Sequence, residues 1–159
     1  MEIYVFRHGI AEDAPPGGSD AQRALTDEGR EKLRRVLRRA KAAGVAPSLI
    51  LSSPLVRAVQ TAEIAAEFLS YEGELVLTKA LVPEGNPRGV WEEIRARRGQ
   101  PSVLVAGHEP LLSQVVAYLL GSPSVQVEMK KGALVRIDIE GFRPDPRGVL
   151  MWMLTPKLA

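Results

Sequence analysis

The sequence of 159 residues contains no cysteine and only two histidines, His8 and His108. The absence of cysteine excludes disulfides, thiolate metal sites, iron–sulfur clusters and a cysteine nucleophile. It is compatible with a cytoplasmic location, which is our prediction. The chain also lacks HExxH or a similar ligand spacing around its histidines. We therefore expect neither a bound metal nor another cofactor.

The sequence also lacks a strong charge excess and a long hydrophobic run. Its 21 basic and 19 acidic residues give a net charge of +2, which does not predict nucleic-acid binding. Its longest apolar segment, Leu111–Leu120, is about half the length that a membrane span requires. The start, Met1–Tyr4, has no basic flank and no apolar stretch of the signal-peptide kind. We expect no nucleic-acid or membrane partner.

Short apolar runs alternate with segments of helical periodicity along most of the chain. The predicted strands are Ile3–Phe6, Leu49–Leu51, Glu74–Leu77, Val103–Ala106, Ala133–Ile139 and Val149–Leu154. Helices are predicted from Asp27 to before Gly44, from Pro54 to about Leu69, from Pro87, and after Pro110 to about Leu120. This alternation predicts a three-layer α/β/α sandwich with a mostly parallel sheet, which the last two strands complete as an antiparallel pair.

Chemically useful residues follow three of the predicted strands. These are Arg7-His8-Gly9, then Ser52-Ser53-Pro54 with Arg57 one helical turn further on, and Gly107-His108. Because ligands bind beyond the carboxyl ends of parallel strands, we expect these residues to meet at one edge of the sheet. Guanidinium groups, imidazoles and nearby helix N-termini together predict a site for a dianionic phosphoryl group.

Without cysteine, the candidate nucleophiles are a serine or an imidazole. Ser52 and Ser53 fit turn and capping positions better than a nucleophilic role. An imidazole must be neutral to attack, and neighbouring arginines favour the neutral form. One histidine could attack in line while the other, with the arginines, holds the phosphoryl oxygens.

These motifs resemble a known family. Arg7-His8-Gly9-x-Ala11, Leu25-Thr26 with Gly29, Ser52-Ser53-Pro54-x-x-Arg57-Ala58-x-Gln60-Thr61-Ala62 and Gly107-His108-x-Pro110 occur in the order found in the histidine phosphatase superfamily, the phosphoglycerate-mutase-like group. Within it the sequence most resembles the bacterial phosphohistidine phosphatases of the SixA type. The resemblance extends from residue 1 to about residue 120. It implies that His8 is the nucleophile and that Arg7, Gly9, Arg57 and His108 bind the phosphate.

Many members of this family also carry an acidic residue that protonates the leaving group. Here the corresponding segment offers Glu84, and Glu109 is a weaker candidate. SixA-type proteins hold no fixed carboxylate at that point. A phosphoramidate leaving group is expelled more easily than an alkoxide, so a dedicated acid can be dispensable.

The resemblance implies a metal-independent phosphohistidine phosphatase that dephosphorylates another protein, a phosphotransfer domain or phosphocarrier, through a phosphohistidine formed at His8. We expect one domain over residues 1–159 without a sizeable cap insertion, because residues 70–100 suffice only for a strand and a short helix. One alternative is a small-molecule phosphomonoesterase with Glu84 as its acid. Another is a non-catalytic phosphoprotein-binding module, against which the intact His8 argues.

Overall fold

A computed structural model describes all residues from 1 to 159. Six strands form one sheet: β1 (Glu2–Arg7), β2 (Leu49–Ser52), β3 (Leu75–Leu77), β4 (Ser102–Gly107), β5 (Leu134–Asp138) and β6 (Val149–Leu154). The four α-helices are α1 (Asp27–Ala42), α2 (Val56–Phe68), α3 (Pro87–Arg95) and α4 (Leu111–Leu119). Short 3₁₀ helices cover Asp20–Gln22, Lys79–Leu81 and Pro156–Leu158.

The strand order is β3-β2-β4-β1-β5-β6. Strands β1 to β4 are parallel to one another, whereas β5 is antiparallel to both of its neighbours, β1 and β6. Consequently β6 runs in the same direction as β1, and β5 is the one reversed strand. The predicted α/β architecture with a mostly parallel sheet and an antiparallel C-terminal pair is confirmed.

Hydrophobic residues of the central strand β1 face both sides of the sheet. Ile3 and Val5 belong to the core beneath α3 and α4, and Tyr4 and Phe6 belong to the core beneath α1 and α2. Side chains alternate between the two faces of a strand, so a strand covered on both faces is apolar throughout. The apolar run near the N-terminus therefore becomes the buried centre of the molecule.

The helix boundaries follow local capping chemistry. The Thr26 hydroxyl accepts a hydrogen bond from the Gly29 N–H at 2.9 Å, which starts α1 at the predicted residue. Helix α2 begins at Val56, two residues after the predicted start at Pro54, because the Ser53 side chain accepts from the Leu55 N–H and holds a turn there. This keeps Arg57 in the first turn of α2.

No helix in the structure has both the length and the apolar character needed to cross a membrane.

Candidate active site

The strands β1, β2 and β4 end at the same level, at one edge of the sheet. Arg7 pairs with Gly107 and Ser52 pairs with Ala106 in the parallel register. The ladder continues for one residue, since the His8 N–H donates to the Gly107 carbonyl at 3.0 Å and the Ser53 N–H donates to the Ala106 carbonyl at 3.0 Å. The side chains that follow the three strands therefore meet.

The two histidines of the chain face each other at this edge. Their ring centroids are 5.1 Å apart. His8 is 6% exposed and His108 is 1% exposed. Burial of two polar rings in one place needs hydrogen-bond partners or a charged ligand to compensate.

The protonation pattern of His8 follows from its partners. Its Nδ1 lies 2.7 Å from the carbonyl oxygen of Gly9, which can only accept, so Nδ1 carries the hydrogen. Its Nε2 accepts a hydrogen bond from the Nε of Arg57 at 3.3 Å. In the neutral ring Nε2 therefore bears the lone pair and is the nitrogen able to attack phosphorus.

Burial lowers the pKa of His8 to about 4. The positive charges of Arg57, Arg7 and Lys131 contribute to this lowering, and the hydrogen bond to Gly9, which favours the protonated form, opposes it. The imidazole is thus neutral at neutral pH, as nucleophilic attack requires.

Arg57 is held by Asp20, the first residue of the 3₁₀ helix that precedes α1. Its Nη1 donates to the main-chain oxygen of Asp20 at 2.9 Å, and its Nη2 donates to the Asp20 carboxylate at 3.0 Å. The same carboxylate accepts from Arg23 at 3.1 Å. These hydrogen bonds, from Arg23 first and then from Arg57, lower the pKa of Asp20. The guanidinium of Arg57 therefore has a fixed orientation beside His8.

A second contact ties α2 to the segment that carries His8. The Thr61 hydroxyl donates to the main-chain oxygen of Arg57 at 2.8 Å and accepts from the Gly9 N–H at 3.3 Å. The neighbouring Gln60 side chain accepts from the Leu25 N–H at 2.8 Å. Thr61 thus links the arginine and histidine segments, and Gln60 links α2 to the segment that precedes α1.

Arg7 reaches towards the start of the reversed strand β5. Its Nη1 donates to the Met129 carbonyl at 2.7 Å, while its buried Nε has no protein partner. Burial lowers the pKa of Arg7, and the nearby Glu109 carboxylate opposes this effect. Because β5 runs against β1, its amino end lies at the edge where β1 ends, and residues 129–132 join the site.

His108 is held through one of its nitrogens only. Its Nε2 lies 2.8 Å from the Ser53 hydroxyl, whereas its buried Nδ1 has no partner. Burial, with smaller contributions from His8 and Arg57, lowers the pKa of His108 to about 3. Arg7 Nε and His108 Nδ1 are thus buried polar atoms without a partner in the protein. Nitrogen donors on two guanidiniums and imidazole rings suit a tetrahedral oxyanion.

The structure brings Arg7, His8, Gly9, Arg57 and His108 together, as the sequence predicts. Their roles in the reaction remain a proposal.

Glu84 is exposed and is not among the charges that shift the pKa of either histidine. Glu109 accepts from the Ser113 N–H at 2.7 Å and so caps α4. No group of three His, Asp or Glu side chains is arranged to hold a metal ion. The expectation of a metal-free reaction stays a prediction.

Sequence reasoning missed three contributors to the site: Asp20, Met129 and the contact of Ser53 with His108. Asp20 lies just beyond an irregular loop rich in glycine and proline, which has no periodic signal. Met129 contributes a main-chain carbonyl, which its side-chain type does not reveal. Ser53 is a capping residue, as predicted, but the same hydroxyl also contacts His108.

Comparison with known proteins gives consistent results. The model of the histidine phosphatase superfamily (branch 1) matches residues 3–81. Phosphohistidine phosphatase SixA of Escherichia coli is 30% identical over 98% of this chain and 94% of its own. An uncharacterized protein of Picosynechococcus is 33% identical over 85% of this chain and 83% of its own. The structure of the protein histidine phosphatase SixA complexed with tungstate superposes with a TM-score of 0.87, at 29% identity, covering 99% of this chain and 98% of that chain.

The fold, the paired histidines and the arginine pocket therefore define a phosphatase with a catalytic histidine. The chain belongs to the histidine phosphatase superfamily. Within the superfamily its similarity is to the SixA-type phosphohistidine phosphatases.

Proposed function

We propose that this protein removes the phosphoryl group from a phosphohistidine on another protein, with His8 Nε2 as the nucleophile. One observation carries the proposal. The Nδ1–H of His8 is engaged by the Gly9 carbonyl, which leaves a neutral Nε2 lone pair beside the Arg57 guanidinium. The similarity to SixA, a phosphohistidine phosphatase, supports the choice of substrate class.

In the first step, His8 Nε2 attacks the phosphorus atom of the substrate. A bond from Nε2 to phosphorus forms while the bond from phosphorus to the substrate imidazole nitrogen breaks. The leaving nitrogen keeps the electron pair and takes a proton from solvent. Arg7, Arg57 and His108 stabilise the charge on the equatorial oxygens.

In the second step, a water oxygen attacks the phosphorus atom of phosphorylated His8. The bond between phosphorus and Nε2 breaks, Nε2 recovers its lone pair, and the proton of the water passes to solvent or to the released phosphate. The same arginines stabilise this transition state, because both displacements occur at one phosphorus position. Neither of the two displacement steps requires a metal ion or a redox partner.

The surroundings of His8 suit a protein substrate. The segment between β3 and β4 contains only the Lys79–Leu81 turn and α3, and we propose that it forms no cap over the histidines. An open groove of about 610 Å³ lies beside the site and shares Arg7 with it, and neither histidine lines this groove. We propose that a phosphohistidine protruding from a phosphotransfer domain or phosphocarrier reaches His8 while its own protein rests on this side of the site. We place this reaction in the cytoplasm.

Rapid quenching with a radiolabelled phosphocarrier protein, phosphorylated on its histidine, tests the proposal. We expect the wild-type protein to acquire label that survives alkali and is lost in acid, and then to release phosphate. His8→Ala should acquire no label and should hydrolyse more than about 1,000-fold more slowly. Arg57→Ala should also impair turnover, and Arg35→Ala, at an exposed arginine on α1, is its matched control.

Other outcomes identify the alternatives. Unchanged hydrolysis by His8→Ala would reject the mechanism. Turnover of p-nitrophenyl phosphate without turnover of the phosphocarrier would indicate a small-molecule phosphomonoesterase. Binding of the phosphocarrier without turnover would indicate a non-catalytic module. Loss of ester hydrolysis alone in Glu84→Gln would assign Glu84 as the acid.

A further inference from the structure

The contact between Ser53 and His108 joins two side chains that are almost completely buried. Ser53 is 0% exposed and His108 is 1% exposed. The Ser53 oxygen lies 2.8 Å from Nε2 of His108. Both residues directly follow neighbouring strands, β2 and β4, so the ladder between these strands fixes their separation.

The direction of this hydrogen bond follows from the other partner of Ser53. The Ser53 oxygen already accepts a hydrogen bond from the Leu55 N–H at 3.2 Å. The only acceptor available to its hydroxyl hydrogen is Nε2 of His108. Ser53 therefore donates and Nε2 accepts, which places the hydrogen of a neutral ring on Nδ1.

The other nitrogen of His108 is left without a partner in the protein. Nδ1 is buried and forms no hydrogen bond, and its ring lies 5.1 Å from the ring of His8. A buried N–H without an acceptor is costly. Since burial lowers the pKa of His108 to about 3, the ring carries one hydrogen rather than two at neutral pH.

We propose that Ser53 is a positioning residue that holds neutral His108 in its Nδ1–H form, so that Nδ1 donates a hydrogen bond to an oxygen of the transferring phosphoryl group. This inference rests on the proposed function, because it requires a phosphoryl group at His8. It assigns His108 the role of a fixed neutral donor, and the hydrogen of Nδ1 stays on the ring throughout both displacements.

Nuclear magnetic resonance of the ¹⁵N-histidine-labelled full chain tests the assignment directly. The chain has only two histidines, so the spectrum of His8→Ala assigns the signals of His108. Two-bond ¹⁵N–¹H correlations distinguish Nδ1–H, Nε2–H and doubly protonated rings. We expect wild-type His108 to show the neutral Nδ1–H pattern at pH 7 and to keep it at pH 5.

The variant Ser53→Ala should change both the spectrum and the kinetics. Without the hydroxyl, Nε2 loses its donor, and His108 should populate the Nε2–H form. We expect kcat for the phosphocarrier to fall about 10- to 100-fold, with a smaller change in KM. The matched control is Ser102→Ala, because Ser102 is also buried, at 5% exposed, but it begins β4 at the end opposite His108, where its hydroxyl donates to the Ala46 carbonyl and accepts from the Ser48 N–H. This control should keep the wild-type spectrum and kcat.

The readouts separate this inference from the proposed function. An Nε2–H or doubly protonated His108 in the wild-type protein at pH 7 overturns the inference, and it does so even if Ser53→Ala fails to fold. An unchanged kcat in folded Ser53→Ala overturns the role of Ser53 while hydrolysis of the phosphocarrier by the wild type still stands. If the wild type does not hydrolyse the phosphocarrier, the proposed function fails and the donor role fails with it, although the spectrum still assigns the ring.

Discussion

Asp20 fixes the orientation of the Arg57 guanidinium beside His8. Its main-chain oxygen and its carboxylate accept hydrogen bonds from the two terminal nitrogens of the guanidinium, and His8 Nε2 accepts one from the Nε. An arginine engaged on all three nitrogens has little freedom to turn away from the site. The side chain of Asp20 is itself 61% exposed, so the contact contributes little to stability.

Replacement of Asp20 by alanine should therefore impair activity more than stability. We expect kcat/KM for the phosphocarrier to fall about 10- to 100-fold, because the guanidinium becomes misplaced. Asp20→Asn keeps an acceptor oxygen and should lose less. The midpoint of thermal unfolding should hardly change in either variant. Higher activity in Asp20→Ala would show instead that Asp20 blocks Arg57.

At the scale of elements, the loop after β1 packs tightly against α1. A Cβ atom on Gly29 would lie 2.3 Å from the main-chain oxygen of Ile10 and 2.9 Å from its nitrogen. Ile10 also accepts a hydrogen bond from the Thr26 N–H at 2.9 Å. Because Ile10 lies two residues after His8, any shift of this loop reaches the site.

Gly29→Ala should thus destabilise the protein although alanine favours helix. We expect a loss of roughly 1–3 kcal/mol in the free energy of unfolding, together with lower activity. Gly89→Ala in α3 is the control, since its Cβ would come no closer than 3.5 Å to the Asn86 side chain. It should stabilise by up to about 1 kcal/mol and leave activity unchanged. Denaturant unfolding of both variants measures the difference, and equal effects would contradict the packing argument.

The elements and the strand-end residues could be predicted because local pattern encodes them. Apolar runs gave the strands, and the parallel arrangement placed His8, Arg57 and His108 at one edge. The positions of Asp20 and Met129 depend on an irregular loop and on the reversal of β5, which tertiary pairing decides. Sequence periodicity carries no information about either. The protonation of the rings likewise depends on partners that only the folded chain brings together.

For the whole molecule, two buried neutral histidines make stability depend on pH. In the unfolded chain both rings take a proton near pH 6.5. In the folded chain burial lowers the pKa of His8 to about 4 and that of His108 to about 3. At a pH between the unfolded and the folded pKa of a ring, the unfolded state binds more protons than the folded state. The free energy of unfolding therefore falls as the pH drops from about 6.5 towards 4.

His8 alone should account for a loss on the order of 3 kcal/mol over this range. Urea unfolding at pH 7, 6 and 5 measures the effect. Comparison with His8→Ala isolates it, because the carboxylates are the same in both proteins. We expect a shallower pH dependence in the variant. The same slope in both would show that His8 is not buried in its neutral form.

The position of β1 in the sheet also has a consequence for biosynthesis. This first strand pairs with β4, which begins at Ser102, and with β5, which begins at Leu134. While the chain emerges from the ribosome, β1 cannot pair with β4 and β5 until those strands have been synthesised. Arg7 likewise cannot donate its hydrogen bond to the Met129 carbonyl until residue 129 has emerged. Such distant pairing slows folding relative to local contacts. A nascent chain that ends before β5 should therefore have no phosphatase activity, and activity should appear only in chains that extend beyond β5.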